Sequence, residues 1–308
     1  MLMMSYDILV VGGGPAGLTA ALYARRNGFR VLLMEKEGFG GQMAFAPRVE
    51  NYPGVESVEG AVLAEQMLTQ VMDLDVDTDI GAVTSLRRSP EGWLADTDGG
   101  ESISARAVIL CCGARHRALG LPGEQELLGR GVSYCAVCDG SFYKGGVVAV
   151  AGGGDSAMQE ALLLSELCRK VYVIHRRDVF RGDAEKLSRL RQRENVELLT
   201  PYNVTALRQD GGELTGLELR RALTGESREL AVDALFVSVG QIPALECFAG
   251  VLPLGDGGYA VAGENGVLPA PGLFVAGDCR CKSVRQITTA VSDGANAAMS
   301  ACRYLEDK

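Results

Sequence analysis

Long apolar runs are missing from this 308-residue chain. A membrane-spanning helix needs roughly 18 consecutive apolar residues. No stretch approaches that length, so no membrane partner is expected. Met1–Met4 are apolar, but Asp7 and a glycine turn follow at once and leave no core for a secretory signal. A surplus of positive charge is missing too: 30 Lys and Arg stand against 39 Asp and Glu, for a formal net charge of −9. That balance disfavours non-specific association with nucleic acid or anionic membranes. Low-complexity segments, short-period repeats and long charge runs are absent. A zinc site would want a second C-x-x-C pair beside Cys135–Cys138, and neither Cys111-Cys112 nor Cys279-Arg280-Cys281 supplies one, so no metal is expected. Nine cysteines, an odd number, read as cytosolic thiols with one working pair rather than a secreted disulfide framework, which points to the cytoplasm.

What is present fits about two domains by length. Hydrophobic residues make up 47% and charged residues 22%, ordinary for a globular protein. Forty glycines exceed average usage and gather in turns. The first such turn is the more regular. Tyr6–Val11, an apolar β-forming run, meets Gly12-Gly13-Gly14-Pro15-Ala16-Gly17, then the helix-compatible Leu18–Asn27 and a second apolar run, Arg30–Glu35. In a dinucleotide-binding unit Gly12 makes the tight turn, Gly14 lets the backbone approach a pyrophosphate, and Gly17 lets helix pack on strand. The helix start offers free N–H groups to the phosphates. Glu35 stands eighteen residues past Gly17, where a carboxylate accepts from ribose hydroxyls.

The pattern repeats. Gly145–Ala151 leads into Gly152-Gly153-Gly154-Asp155-Ser156-Ala157, a helical stretch to about Leu167, and an apolar run Lys170–His175. Ala157 stands where Gly17 stood, and His175 again lies eighteen residues on. His175-Arg176-Arg177 thus replaces the acid, and Arg181 follows one helical turn later. A 2′-hydroxyl loses its acceptor there, whereas a 2′-phosphate gains forked donors. The first site therefore reads as FAD and the second as NADPH, in an α/β chain of two Rossmann-like domains.

Gly272–Gly277 is an apolar strand ending in Asp278, with a helix-compatible stretch from Val284 to Leu305. Asp278 could accept from the ribityl hydroxyls of a flavin or simply cap a helix; the stretch alone favours neither. If this segment completes the first domain, residues 1–115 and 244–308 form the FAD-binding domain. Residues 116–243 are then an inserted NADPH-binding domain. Its turn-like crossings, near Ala114–Arg117 and Gly240–Pro243, make a hinge.

Cys135-Ala136-Val137-Cys138-Asp139-Gly140 lies between the two fingerprints. The thiolate is the reactive form, and backbone N–H groups of a helical turn would favour it. Asp139 can take or give a proton as thiol and thiolate interconvert. Cys111, Cys112, Cys168, Cys247 and Cys302 read as small buried or half-buried residues, Cys279 and Cys281 as redox-inert. His116 reads as a turn or hinge residue, and His175 as part of a ligand pocket.

Taken together, Gly12–Gly17, Gly40-Gly41-Gln42, Glu50–Gly54, Cys135–Gly140, Gly152–Ala157, His175–Arg177, Gly277-Asp278 and Arg285-Gln286 resemble the low-molecular-weight bacterial and archaeal NADPH–thioredoxin reductases over essentially the whole chain. The resemblance implies FAD contacts along Gly41, Gln42, Asn51, Gly277, Asp278, Arg285 and Gln286, a homodimer, and a swivelling NADPH domain. It implies that Cys138 faces the flavin while Cys135 attacks the disulfide of thioredoxin or a thioredoxin-like protein. Gly182 departs from the family, where Ala is frequent, and so do Cys279 and Cys281 beside Asp278. A dithiol oxidase or ferredoxin-dependent reductase on the same scaffold is the alternative, disfavoured by the intact basic motif. A redox sensor is disfavoured by the lack of an appended signalling segment.

Overall fold

The computed structural model describes residues 5–308, and the reading of Met1–Met4 lies outside the described residues. The chain divides into two compact units, one running to Arg115 and resuming at Ile242–Lys308, the other being His116–Gln241. The first unit begins with β1 (Ser5–Val11), α1 (Pro15–Arg26) and β2 (Val31–Glu35). It continues through α2 (Gly60–Met72), β3 (Asp77–Ile80), β4 (Val83–Ser89), β5 (Gly92–Thr97), β6 (Ser102–Leu110) and the short β7 (Ala114–His116). In the second unit lie β8 (Val132–Ser133), α3 (Ala136–Asp139), β9 (Val147–Ala151), α4 (Asp155–Leu167), β10 (Lys170–Ile174), α5 (Ala184–Arg191) and β11 (Val196–Leu199). They are followed by β12 (Tyr202–Asp210), β13 (Glu213–Arg221), β14 (Ser227–Ala231) and β15 (Ala234–Val237). After β16 (Gln241–Pro243) the first unit closes with β17 (Leu273–Val275) and α6 (Ile287–Glu306).

In the first unit the sheet order is β3-β2-β1-β6-β5-β4, with β17 also on β6. Strands β1, β2, β3, β6 and β17 are mutually parallel, and β4 and β5 add an antiparallel flap. One edge of β6 serves two neighbours: Ser102–Ala105 pair with β5, and Val108–Leu110 pair with β17. Ile8, Leu9 and Val10 are fully buried, as a strand covered on both faces demands. Helices α1 and α6 pack through small residues, Ala16, Ala20, Ala21 and Ala24 against Ala290, Ala297, Ala298 and Ala301. The approach is close: a Cβ on Gly294 would sit 2.2 Å from the Ala16 carbonyl oxygen.

The second unit repeats the scheme as a parallel sheet, β11-β10-β9-β15-β8, with a three-stranded antiparallel sheet β12-β13-β14 attached. In each unit the strand order reverses beside the first glycine turn, between β1 and β6 and between β9 and β15. That is where open parallel sheets bind ligands, at the carboxyl ends of their strands. Among the described residues no helix is long and apolar enough to cross a membrane.

Candidate active site

The first glycine turn caps α1 at its N-terminus. Gly14 is the capping residue and no side chain satisfies the free N–H groups there, so the helix start is open to an anion. The Gly13 N–H donates to Glu35 Oε2 at 2.6 Å, and the Glu37 N–H donates to Oε1 at 3.1 Å, which sets the Glu35 carboxylate beside the turn. Gly41 lies against Gly14: a Cβ on Gly41 would stand 3.3 Å from the Gly14 Cα. Gly41-Gln42 opens a short 3-10 turn, Gly41–Phe45, in which the Gln42 side chain is exposed. From the far end of the chain, Gly277 abuts Ala16, a Cβ there falling 2.8 Å from the Ala16 Cβ. Asp278 follows inside a 3-10 turn, Gly277–Cys279, and caps no helix. Its Oδ1 is buried without a hydrogen bond, with Lys282 Nζ 3.4 Å away. Burial raises the Asp278 carboxyl above its ordinary value, and Lys282 and Arg285 oppose this. Asn51 Nδ2 donates to Gln286 Oε1 at 3.1 Å across 235 residues of chain. Gln286 also caps α6 reciprocally with Thr289. Arg285 Nε donates to the Asp278 carbonyl at 3.3 Å, and its guanidinium lies 4.2 Å from the centroid of the Tyr259 ring.

Those residues suit a flavin dinucleotide. Bare glycine backbone meets an uncapped helix start, and a buried carboxylate oxygen waits for a hydroxyl donor. Beneath Asp278 lies a network that the sequence reading missed. Asp293, 7% exposed, accepts from the Gly277 N–H, from Arg280 Nε and an Arg280 terminal nitrogen, and from Lys282 Nζ at 2.9–3.2 Å. A lone Asp on the alanine-lined face of α6 was its legible signal.

In the second unit Gly154 caps α4, again with no side-chain cap, and a Cβ placed on it would meet nothing within 4 Å. His175, 5% exposed, packs directly on the turn: a Cβ on Gly153 would fall 2.2 Å from His175 Nδ1. The imidazole stacks on Phe180, centroids 5.2 Å apart. Burial lowers its pKa, and Arg181, Arg177 and Arg176 push the same way. No helix separates His175 from Arg181, contrary to the expected helical turn. The segment is a bend, because the Arg181 and Gly182 N–H groups both donate back to the Gly153 carbonyl. Arg176, Arg177 and Arg181 are exposed and, among the described residues, form no ion pair. Asp155 spends its carboxylate on the Asp183 N–H at 2.9 Å and on Lys186 Nζ at 3.4 Å, and Ser156 and the buried Ala157 complete the first turn of α4. This cradle, like the first, suits a dinucleotide. Glu160 was not anticipated. Its Oε2 is buried without a hydrogen bond, and burial lifts the carboxyl to about 7 against the opposing hydrogen bond of Ser238.

Cys135 and Cys138 form a disulfide, with Cα atoms 5.3 Å apart. Cys135 caps α3, its sulfur accepting from the Cys138 N–H at 3.2 Å. Ser133, buried at the end of β8, organises the turn. It accepts from the Cys135 N–H at 3.0 Å and donates to Asp139 Oδ2 at 2.6 Å. Burial raises the Asp139 carboxyl, with the Ser133 bond opposing, so it keeps a proton to higher pH than an exposed aspartate. A disulfide and a proton-retaining carboxyl thus share one turn.

The other cysteines are elsewhere. Cys111 and Cys112 fall just past β6 rather than within it. Cys111, Cys168, Cys279 and Cys302 are buried, and burial pushes the Cys279 thiol up to about 12, far from thiolate character. Cys247 corrects an expectation. It is exposed, because the 3-10 turn Glu246–Phe248 buries Phe248 and turns its other two residues outward.

A family model for pyridine nucleotide-disulphide oxidoreductases matches residues 6–294. The chain belongs to that family. Thioredoxin reductases are its relatives within it: that of Listeria monocytogenes is 40% identical over 98% of this chain and 94% of that protein. The Bacillus subtilis thioredoxin reductase is 38% identical over 98% and 95%. Among solved structures, thioredoxin reductase from Streptococcus pyogenes superposes with a TM-score of 0.93 at 36% identity, covering 99% of each chain. Family membership and the two-Rossmann α/β fold agree with what the sequence motifs imply.

Proposed function

We propose that the protein is an NADPH-dependent, FAD-containing thioredoxin reductase, with Cys135–Cys138 as the disulfide that reduces thioredoxin or a thioredoxin-like protein. The observation that carries this reading is the Cys135–Cys138 disulfide at the start of α3, with the half-buried, proton-retaining Asp139 beside it. Gly12, Gly14, Pro15, Ala16, Gly17, Glu35, Gly41, Gln42, Asn51, Gly277, Asp278, Arg285 and Gln286 would hold FAD. Gly152, Gly154, Asp155, Ser156, Ala157, His175, Arg176, Arg177 and Arg181 would hold NADPH. When bound, these two groups supply the two-electron chemistry that opens the disulfide.

In the resulting dithiol, the Cys138 N–H aimed at the Cys135 sulfur favours thiolate at Cys135. That thiolate attacks one sulfur of the partner disulfide, and the other partner sulfur leaves with a proton. Cys138 then displaces the partner from the mixed disulfide and restores Cys135–Cys138. Two electrons and two protons pass to the partner. Asp139, held by Ser133, passes a proton between these thiols. We also read the protein as a homodimer by its resemblance to the family.

The test is anaerobic stopped-flow absorbance. NADPH is expected to bleach the oxidised flavin band, and oxidised thioredoxin to restore it; an unbleached band would refute the reading. The basic cluster makes a second expectation. Arg176→Ala combined with Arg177→Ala removes two charge-assisted donors, each worth about 1.5–3 kcal/mol. The KM for NADPH should rise by about 10²-fold or more while that for NADH changes little, measured in steady-state turnover.

A further inference from the structure

Glu124 is a buried carboxylate that, among the described residues, forms no ion pair. It is 2% exposed, and the backbone satisfies it. Its Oε1 accepts from the Leu119 N–H at 3.0 Å, and its Oε2 accepts from the Gly120 N–H at 2.8 Å and the Leu121 N–H at 3.2 Å. The remaining donor is the Tyr134 hydroxyl, 2.9 Å from Oε1. Tyr134 immediately precedes Cys135. Its ring lies face to face with His116, centroids 5.0 Å apart and planes at 14°. His116 opens the second unit, and Gln241, which ends it, places its side-chain nitrogen 3.4 Å from His116 Nδ1. Next to these, the Arg117 N–H donates to the Gly240 carbonyl at 2.9 Å. Leu119, Tyr134 and Val239 share one apolar cluster.

A carboxylate that deep is costly unless every acceptor site is filled, so Tyr134 is held at a fixed place by an anchor that cannot relax cheaply. Its backbone is the one that delivers Cys135. Phenol, imidazole and amide together fasten the residue before the redox pair to both ends of the inserted segment. We infer that Tyr134 is a positioning residue for the redox pair, anchored by Glu124 and His116, which holds Cys135 in register with the Cys138 N–H and the Ser133 hydroxyl. The inference rests on the proposed disulfide-reductase reading, and it names a side chain outside the C-x-x-C turn on which the exchange rate depends.

Tyr134→Phe keeps the ring on His116 and removes only the bond to Glu124; Tyr134→Leu removes both. For reduction of oxidised thioredoxin, kcat should fall about tenfold in Tyr134→Phe and further in Tyr134→Leu. The KM for thioredoxin should stay within about twofold, because the residue acts on exchange rather than on docking. Turnover of NADPH with ferricyanide, which takes electrons without the cysteine pair, should stay at the wild-type rate. Wild-type kcat with thioredoxin in Tyr134→Phe would overturn the inference, and so would an equal loss with ferricyanide. A separate arm needs no partner and no nucleotide. In a Cys138→Ser background, mass spectrometry follows iodoacetamide alkylation of Cys135. Tyr134→Phe should slow it about tenfold at neutral pH, the loss of one well-aimed hydrogen bond to a charged sulfur. An unchanged or faster rate would overturn the inference even if thioredoxin proved not to be the partner, and failure of wild type to reduce thioredoxin would count against the partner alone.

Discussion

Cys135→Ser is expected to stop thioredoxin reduction, by about 10³-fold or more, while NADPH still bleaches the flavin band at a normal rate. A serine hydroxyl fits the site, since it can accept the Cys138 N–H hydrogen bond that now holds the sulfur, and the backbone N–H bond of residue 135 to Ser133 is untouched by the change. It cannot exchange with a disulfide, because its oxygen is not a thiolate at any working pH. The loss is therefore chemical rather than structural. Cys138→Ser separates the two thiols further. Cys135 can still attack the partner, but nothing resolves the product, so a covalent conjugate should accumulate and appear on a non-reducing gel. If Cys135→Ser traps the partner and Cys138→Ser does not, the roles are reversed. If both variants lose flavin reduction as well, the cysteines act on the fold and not on the exchange.

The two glycine turns and the residues that close on them were largely legible because they are local. A βαβ unit writes its geometry into about 30 residues, and the eighteen-residue spacings from Gly17 to Glu35 and from Ala157 to His175 have direct physical counterparts. The Gly13 N–H meets Glu35 at 2.6 Å, and Gly153 lies under the His175 ring. The fold class followed from the same two repeats. What could not be read were side-chain pairings set by distant packing. Ser133 joins Cys135 to Asp139 only because β8 ends beneath the turn. Asp293 reaches Arg280 and Lys282 only because α6 lies along α1. Glu124 is one acid among many until three backbone N–H groups converge on it. Periodicity was silent on the antiparallel sheet β12-β13-β14, and on Arg181, whose approach to the glycine turn is made by backbone bonds that no side-chain pattern encodes.

Gly17→Ala should be the most damaging single methyl in the first unit. The added Cβ would stand 1.7 Å from the Gly12 carbonyl oxygen and 2.9 Å from its carbon, both fixed backbone atoms in the turn that would receive the pyrophosphate. No rotamer change relieves such a clash, so either α1 or the turn must shift. Overpacking of this kind costs about 1–3 kcal/mol where side chains yield, and more where only backbone can. The expected result is a lower denaturation midpoint together with loss of bound flavin, read as the ratio of flavin to protein absorbance after purification. Residue 157 supplies the control, because it stands at the same place in the second turn and already carries a methyl, fully buried there. Ala157→Gly should cost only about 0.5–1 kcal/mol, the usual difference within a helix. The two turns thus share a motif but not a clearance, and the difference between Gly17 and Ala157 is a difference in how closely each helix approaches its strand. A Gly17→Ala protein with wild-type midpoint and full flavin content would show that the first turn yields as readily as the second.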